Sequence, residues 1–340
     1  MKLRVGIVGL GEAWELRHRP ALRTLGDRFE VRAVCDQVSH RAEQAAREFN
    51  AKPVDGFRAL AERDDIDAIM ILSEQWYGAL PLLAACDAGK AVYCATSLQL
   101  TAEEARNLRE RIERSGIAFM AEFPRRHAAA TIRLKELIAT RLGKPRLLFC
   151  HKRTPVHEKA TAKARILPKV DDHRDLVELV DWCRYVAGSE PSSVFGLSHF
   201  VSPECGQTDY RMMSLDFSPP GQLGTGIIAQ ISSGYYMPQF WEEAVAYRPP
   251  AALQVACENG VAFIDLPTNL VWFDKAGRHM ESLEHERPVG EMLLSQFHRA
   301  VTSLVRQVNG LDDAYRAVRI VLAAQQSQVE QRRVELAMEI

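Results

Sequence analysis

Val5-Gly6-Ile7-Val8-Gly9-Leu10-Gly11-Glu12-Ala13-Trp14 is a short apolar, β-branched run that ends in glycines and then turns polar. The pattern predicts a buried parallel strand that breaks into a tight turn and opens a helix. Such a turn leaves backbone N–H groups unpaired at a helix N-terminus, where a diphosphate can accept them. Gly9, Gly11, Glu12 and Ala13 are the residues expected to form that cradle. Trp14 stands where a third small residue would let the helix pack closely on its strand, so the rest of the chain must decide the reading.

Working outward, residues 18–25 read as the rest of that helix, closed by Gly26, and residues 30–36 as a second strand ending in Asp36. Asp36 lies about 25 residues beyond the glycines, close to the roughly 20 at which dinucleotide folds place an acid on the adenosine ribose. A carboxylate there accepts from ribose hydroxyls and repels a 2′-phosphate, which favours NAD over NADP. The other reading is that Asp36 caps the next helix, residues 38–49, whose Ala42, Ala45 and Phe49 line one face. A third strand, 66–72, runs into Ser73-Glu74-Gln75, and the ends of parallel strands are where ligands sit in open α/β sheets. After a helix over 77–88 comes strand 91–94, followed by Ala95-Thr96-Ser97-Leu98. Thr101 and Glu104 form a capping box for a helix to Arg114 that Gly116 ends, and strand 117–121 completes the alternation. Repeated strand–helix units predict a Rossmann-type, doubly wound parallel sheet over residues 1–122.

Residues 123–340 read differently. An amphipathic helix, 128–141, is followed by strands at 146–152, 193–200, 211–217, 224–236, 252–257, 261–266 and 270–274. Turns such as Glu258-Asn259-Gly260 separate several of them, which predicts a mainly antiparallel, open-faced sheet with helices on one face, an α+β domain for substrate binding and oligomerisation. Helices over 291–308 and 312–331 close the chain and are expected to turn back towards the first domain. The open face, with Ile228, Gln230, Tyr235 and Tyr236, needs a cover unless it is solvated and the chain monomeric.

The bulk properties narrow the class. With 340 residues and a formal net charge of -1, the chain offers no electrostatic case for nucleic acid or an anionic membrane. No apolar run approaches the roughly 18–20 residues of a bilayer span, and no export signal precedes the first strand. Seven cysteines without CxxC spacing read as reduced thiols in a cytoplasm, and no paired Cys/His spacing supports a metal site.

The glycine turn, "HRPAL", "VRAVCD" followed by Arg41-Ala42, "DAIMILS" and "AGKAVYCATSLQLTAEEA" together resemble the Gfo/Idh/MocA family. That resemblance implies NAD(P)-dependent oxidoreductases acting largely on sugars and cyclitols. It also implies cofactor contacts from Arg41, Ser73, Glu74, Gln75 and Thr96 beside Gly9, Gly11, Glu12, Ala13 and Asp36, and a second subunit covering the open sheet, as a homodimer or homotetramer. The sequence departs from the family where chemistry is concentrated. Ala95, Thr96 and Ser97 stand in place of Glu-Lys-Pro, whose lysine assists proton transfer, and Ser73, Glu74 and Gln75 in place of Thr-Pro-Asn. The family's Asp-x-Gly-x-His-x-x-Asp helix, anchored on Asp181-Trp182, places Arg174, Leu176 and Glu178 where Asp, Gly and His are usual.

Oxidising a secondary alcohol with NAD requires a base that titrates near the working pH and reaches the hydroxyl proton. Thr96 can only hydrogen-bond, Glu178 becomes a base if burial raises its pKa, and His173 titrates near neutrality, so these three are the candidate catalytic residues. Against them stand an ion pair of Glu178 with Arg174, four residues earlier, and a solvated His173. Lys163, Arg165 and Lys169 could contact a polyhydroxy substrate, Cys94 reads as a buried small hydrophobe, and Arg125 and Arg126 as an interdomain crossover. The sequence therefore leaves an NAD-dependent oxidoreductase of a sugar, cyclitol or related polyol, with a rearranged acid–base set. Beside it stand an inactive relative with a ligand-binding or regulatory role, and a protein with a permanently bound, recycled cofactor.

Overall fold

The computed structural model describes residues 1–72, 77–95, 100–156, 172–202, 207–238, 243, 251–265, 268–303 and 308–336. Its contacts divide the chain into two units, Met1–His127 with Arg287–Val318, and Ala128–Glu286 with Arg319–Ile340. In chain order the first strands are β1 (Leu3–Val8), β2 (Phe29–Cys35), β3 (Lys52–Pro53), β4 (Ala68–Ile71), β5 (Ala91–Cys94) and β6 (Phe119–Ala121). They are followed by β7 (Pro145–Val156), β8 (Ser193–Ser202), β9 (Gln207–Asp216), β10 (Ile228–Pro238) and β11 (Leu253–Cys257). The last are β12 (Val261–Ile264), β13 (Asn269–Asp274), β14 (Gly277–Ser282), β15 (Val308–Asn309) and β16 (Val334–Glu335). The helices used below are α1 (Arg19–Thr24), α2 (Ser39–Glu48), α3 (Phe57–Ala61), α4 (Leu80–Asp87), α5 (Ala102–Ser115), α6 (Ala129–Leu137), α7 (Asp172–Ala187), α8 (Val289–Thr302) and α9 (Leu311–Glu330).

The first unit is a seven-stranded parallel sheet in the order β15-β6-β5-β4-β1-β2-β3. Its central strands are buried on both faces, as a parallel sheet between helical layers requires. Side chains alternate between two cores. Val5, Ile7, Met70 and Tyr93 join Trp14 and Phe297 in one, while Val8, Ile69, Ile71, Val92 and Cys94 join Leu60, Leu82 and Ile112 in the other. Leu293, Leu294 and Phe297 of α8 belong to the first core, which is why residues 287–318 group with this unit. The capping box of α5 forms as expected, with Thr101 Oγ1 accepting from the Glu104 N–H and the Glu104 carboxylate accepting from the Thr101 N–H, and Gly116 closes the helix at φ 61°.

The second unit is a nine-stranded sheet in the order β14-β13-β12-β11-β7-β10-β9-β8-β16. Only β7 and β10 pair in parallel and every other recorded pairing is antiparallel. One face, with Leu148, Cys150, Ala229, Ile231, Leu215 and Val255, is buried. On the other, Phe149, Gln230, Ser214 and Phe195 lie side by side across four strands. Leu147, Phe195, Leu197, Phe273 and Met280 are 42%, 42%, 53%, 43% and 70% exposed there, so among the described residues this face leaves several large apolar side chains exposed. One expectation is corrected. Tyr235 shares strand parity with Ala229 and Ile231 of the buried face, and its hydroxyl donates to Asp175 of α7, so Tyr235 belongs to the helix side and not to the open face.

Several short elements escape the sequence reading, among them β3, α3 and β16. Strand β14, Gly-Arg-His-Met-Glu-Ser, is also missed because almost nothing in it is apolar. Among the described residues no group of side chains could hold a metal ion, and the six cysteines they include are all buried and unbridged. No described helix is long and apolar enough to cross a membrane.

Candidate functional site

The glycine turn forms where the sequence places it. Gly9 takes φ 82°, a left-handed conformation that a side chain would strain, and its N–H donates to the Cys35 carbonyl at 2.9 Å, extending the β1–β2 ladder by one bond. The chain then turns into a helix at Glu12, with the Trp14 N–H donating to the Gly11 carbonyl at 3.1 Å. Gly11, Glu12 and Ala13 therefore offer first-turn N–H groups, the arrangement that accepts a diphosphate.

Trp14 is buried beside this turn. It opens a π-helical turn, Trp14–His18, in which the Arg19 N–H reaches back five residues to the Trp14 carbonyl. The wider turn carries one extra residue and directs the indole into the core, where it is 2% exposed and its ring lies 5.5 Å from that of Phe49. The bulky residue at the third small position is thus absorbed by a local change of helix type.

Asp36 closes the turn from the neighbouring strand. Its carboxylate accepts from the Leu10 N–H at 2.7 Å and from the Val38 N–H at 3.0 Å. The bond to Val38 steadies the chain entering α2, whose N-cap Val38 itself makes no side-chain cap, and the bond to Leu10 sets the carboxylate beside the glycine turn. The Arg41 guanidinium donates to the Leu10 carbonyl, so both backbone polar groups of Leu10 are held by side chains. A hollow lined by Leu10, Trp14, Arg19, Arg41 and Glu48 adjoins the turn. Ser73, Glu74, Gln75 and Thr96 lie outside the described residues, as do Lys163, Arg165 and Lys169.

Beneath the strand ends of the same unit sits an ionic set that sequence reasoning missed. Glu122, just past β6, accepts from His18 Nε2 and from the Tyr93 hydroxyl, each at 2.7 Å, and pairs with Arg17. The side chains of His18 and Glu122 are 0% and 1% exposed. Burial alone would push the Glu122 carboxyl up, but the attraction and hydrogen bond of His18, the charge of Arg17 and the hydrogen bond of Tyr93 outweigh it and hold the group at about 2. Burial, with the Glu122 charge beside it, pushes the Tyr93 phenol well above its ordinary value, so it stays a donor.

In the second unit the candidate residues gather on α7. Glu178 pairs with Arg174 at 3.4 Å, the ion-pair reading of the sequence. His173 is buried, not solvated. Asp181 is 1% exposed and pairs with Arg184 at 3.5 Å, a structural role. One turn before Glu178, Asp175 takes the ammonium of Lys152 on one oxygen and the Tyr235 hydroxyl on the other. No sequence signal announces this trio, because it depends on the parallel pairing of β7 and β10 across about 80 residues of chain.

The comparisons agree with this geometry. The family model for GFO_IDH_MocA, an oxidoreductase family with an NAD-binding Rossmann fold, matches residues 3–123. An inositol 2-dehydrogenase of Salmonella paratyphi B is 30% identical over 149 residues, which cover 43% of this chain and 44% of that protein. Thus the match spans less than half the length of that relative. The aldose-aldose oxidoreductase of Caulobacter crescentus, complexed with glycerol, superposes with a TM-score of 0.80 at 17% identity, over 99% of this chain and 100% of that one. A levoglucosan dehydrogenase, in complex with NADH and levoglucosan, gives 0.80 at 16% identity over 99% and 100%. At these identities the structures speak for the fold.

The Glu122 set carries a pH signature. Its folded value of about 2 lies below the ordinary 4.5, so its stabilisation is complete above 4.5 and is lost as pH falls towards 2. Thermal unfolding followed over that window should show the midpoint of the wild type falling more steeply than that of Glu122→Gln; parallel curves would contradict the assignment.

Proposed function

We propose that this chain, whose residues 3–123 match the model of the GFO_IDH_MocA oxidoreductase family, is an NAD-dependent oxidoreductase acting on a CH–OH group of a sugar, cyclitol or related polyol. The observation that carries the reading is the glycine turn closed by Asp36. Its positive φ at Gly9 and its open helix start suit a diphosphate, and a carboxylate beside the Leu10 N–H suits a ribose diol. The negative charge of Asp36 disfavours a 2′-phosphate, which supports NAD over NADP. The polyol class is supported by what the relatives' names say those proteins act on, inositol, aldoses and levoglucosan.

NAD, when bound, supplies the acceptor for the hydride of the carbinol carbon. The chain's own part is to bind the polyol and take its hydroxyl proton. With Thr96 where the resembled loop has a lysine, we assign that proton to the set on α7. Asp175 is poised to accept from a hydroxyl, as it does from Tyr235, while Lys152 balances its charge and Tyr235 offers a second polar contact. His173, two residues before Asp175, is the second candidate base; Glu178, tied to Arg174, orients the helix face. Thr96 serves as a hydrogen-bonding residue of the cofactor loop, with Ser73, Glu74 and Gln75 in the neighbouring one. A non-catalytic, ligand-binding role remains the second reading, favoured by the Glu178–Arg174 pair where the family has a histidine. A cytoplasmic location is supported by the unbridged buried thiols.

The exposed apolar face of the second unit supports a homodimer or homotetramer built on it. Sedimentation should give an even-numbered assembly that Leu197→Asp dissociates; a monomeric wild type would refute it. Incubation with NAD and a panel of cyclitols, aldoses and anhydrosugars should produce NADH absorbance. Asp175→Asn should lower kcat about 100-fold or more, and His173→Ala and Glu178→Gln by less. Tight NADH binding without turnover on any polyol would select the non-catalytic reading, and no NADH binding at millimolar concentration would end both.

A further inference from the structure

The strand order separates two ends of the first sheet. Gly9 and Asp36 stand over β1 and β2, whereas the carboxyl ends of β4, β5 and β6 lie to the other side of β1. A dinucleotide laid across these ends, with its ribose at Asp36, has its nicotinamide half on the β4–β6 side. The buried His18–Glu122–Tyr93 set lies on that side. Tyr93 is in β5, Glu122 follows β6, and the Glu122 N–H donates to the Cys94 carbonyl at 2.9 Å. His18 ends the π-helical turn that starts three residues beyond Gly11, so the set links the helix of the cradle to two strand ends. The Glu122 carboxylate is an acceptor towards both partners, so His18 Nε2 is a donor, while His18 Nδ1, Glu122 Oε1 and Arg17 Nε are buried without a hydrogen bond and Oε1 is ion-paired with Arg17. Little slack surrounds it. A Cβ at Gly290, in the first turn of α8, would come within 2.5 Å of the Arg17 carbonyl oxygen, and the Tyr93 ring meets those of His18 and Phe297 at 5.2 and 5.3 Å.

A buried ionic set of this kind is a poor device for stability alone, since apolar residues of the same shape would do as well. We infer that His18, Glu122 and Tyr93, with Arg17, are positioning residues that fix the ends of β5 and β6 against the glycine cradle and so govern binding of the nicotinamide half of the cofactor. This inference rests on the cofactor reading above.

The test compares NADH with ADP, which lacks the nicotinamide half, by calorimetry on the wild type, Glu122→Gln and Tyr93→Phe, with thermal unfolding as the control for folding. The expected result is NADH binding weakened about tenfold by Glu122→Gln and about threefold by Tyr93→Phe, with ADP binding unchanged within about twofold. Folded variants that bind both ligands like the wild type overturn the inference, and so does a parallel loss of NADH and ADP, which marks a merely structural role. Should Glu122→Gln not fold, Tyr93→Phe decides by the same two criteria. A wild type that binds neither ligand overturns the cofactor reading and this inference with it, an outcome distinct from indifferent variants of a protein that binds both.

Discussion

A carboxylate at the end of β2 holds the peptide on which the first unit turns. Asp36 takes the Leu10 N–H at 2.7 Å and the Val38 N–H at 3.0 Å, and Arg41 takes the Leu10 carbonyl. These bonds fasten β1, β2 and the start of α2 to one turn, whose left-handed Gly9 admits the approach of a ligand to backbone N–H groups. The same residue that would contact a ribose also keeps the cradle in shape without one. Removing it would therefore cost geometry and recognition together.

The parallel sheet was legible because its inner strands, such as Ala68–Ile71 and Ala91–Cys94, are short apolar runs, and because caps and glycines mark some of the helix ends. Thr101 with Glu104 and the left-handed Gly116 are examples that appear as read. The open-faced sheet was legible as a class, from its turns and alternation, yet not in its pairing. The parallel contact of β7 with β10, which brings Lys152 and Tyr235 together at Asp175, joins residues far apart in sequence and leaves no local mark. Trp14 illustrates a different limit. Its bulk at a small-residue position suggested a displaced helix, but a π-helical turn redirected the ring into the core at no cost to the turn itself.

The candidate chemistry shows the same division. The glycines, Asp36 and Arg41 could be found from spacing and resemblance because the cradle is built from one continuous segment and its neighbour. The acid–base set proposed at Asp175 could not, since the side chains around that residue come from three separate elements. Glu122 is equally instructive. Where the resembled loop begins with a glutamate this chain has Ala95, and the buried carboxylate stands on the adjacent strand, hydrogen-bonded through its own N–H to Cys94. That carboxylate is bonded to His18 and Tyr93.

The central claim is that the Asp36-closed glycine turn binds a dinucleotide lacking a 2′-phosphate. Calorimetric titration of the wild type and Asp36→Ala with NADH and NADPH tests it most directly. The wild type should bind NADH at least about tenfold more tightly than NADPH, and Asp36→Ala should lose that preference. Equal or tighter binding of NADPH by the wild type would contradict it.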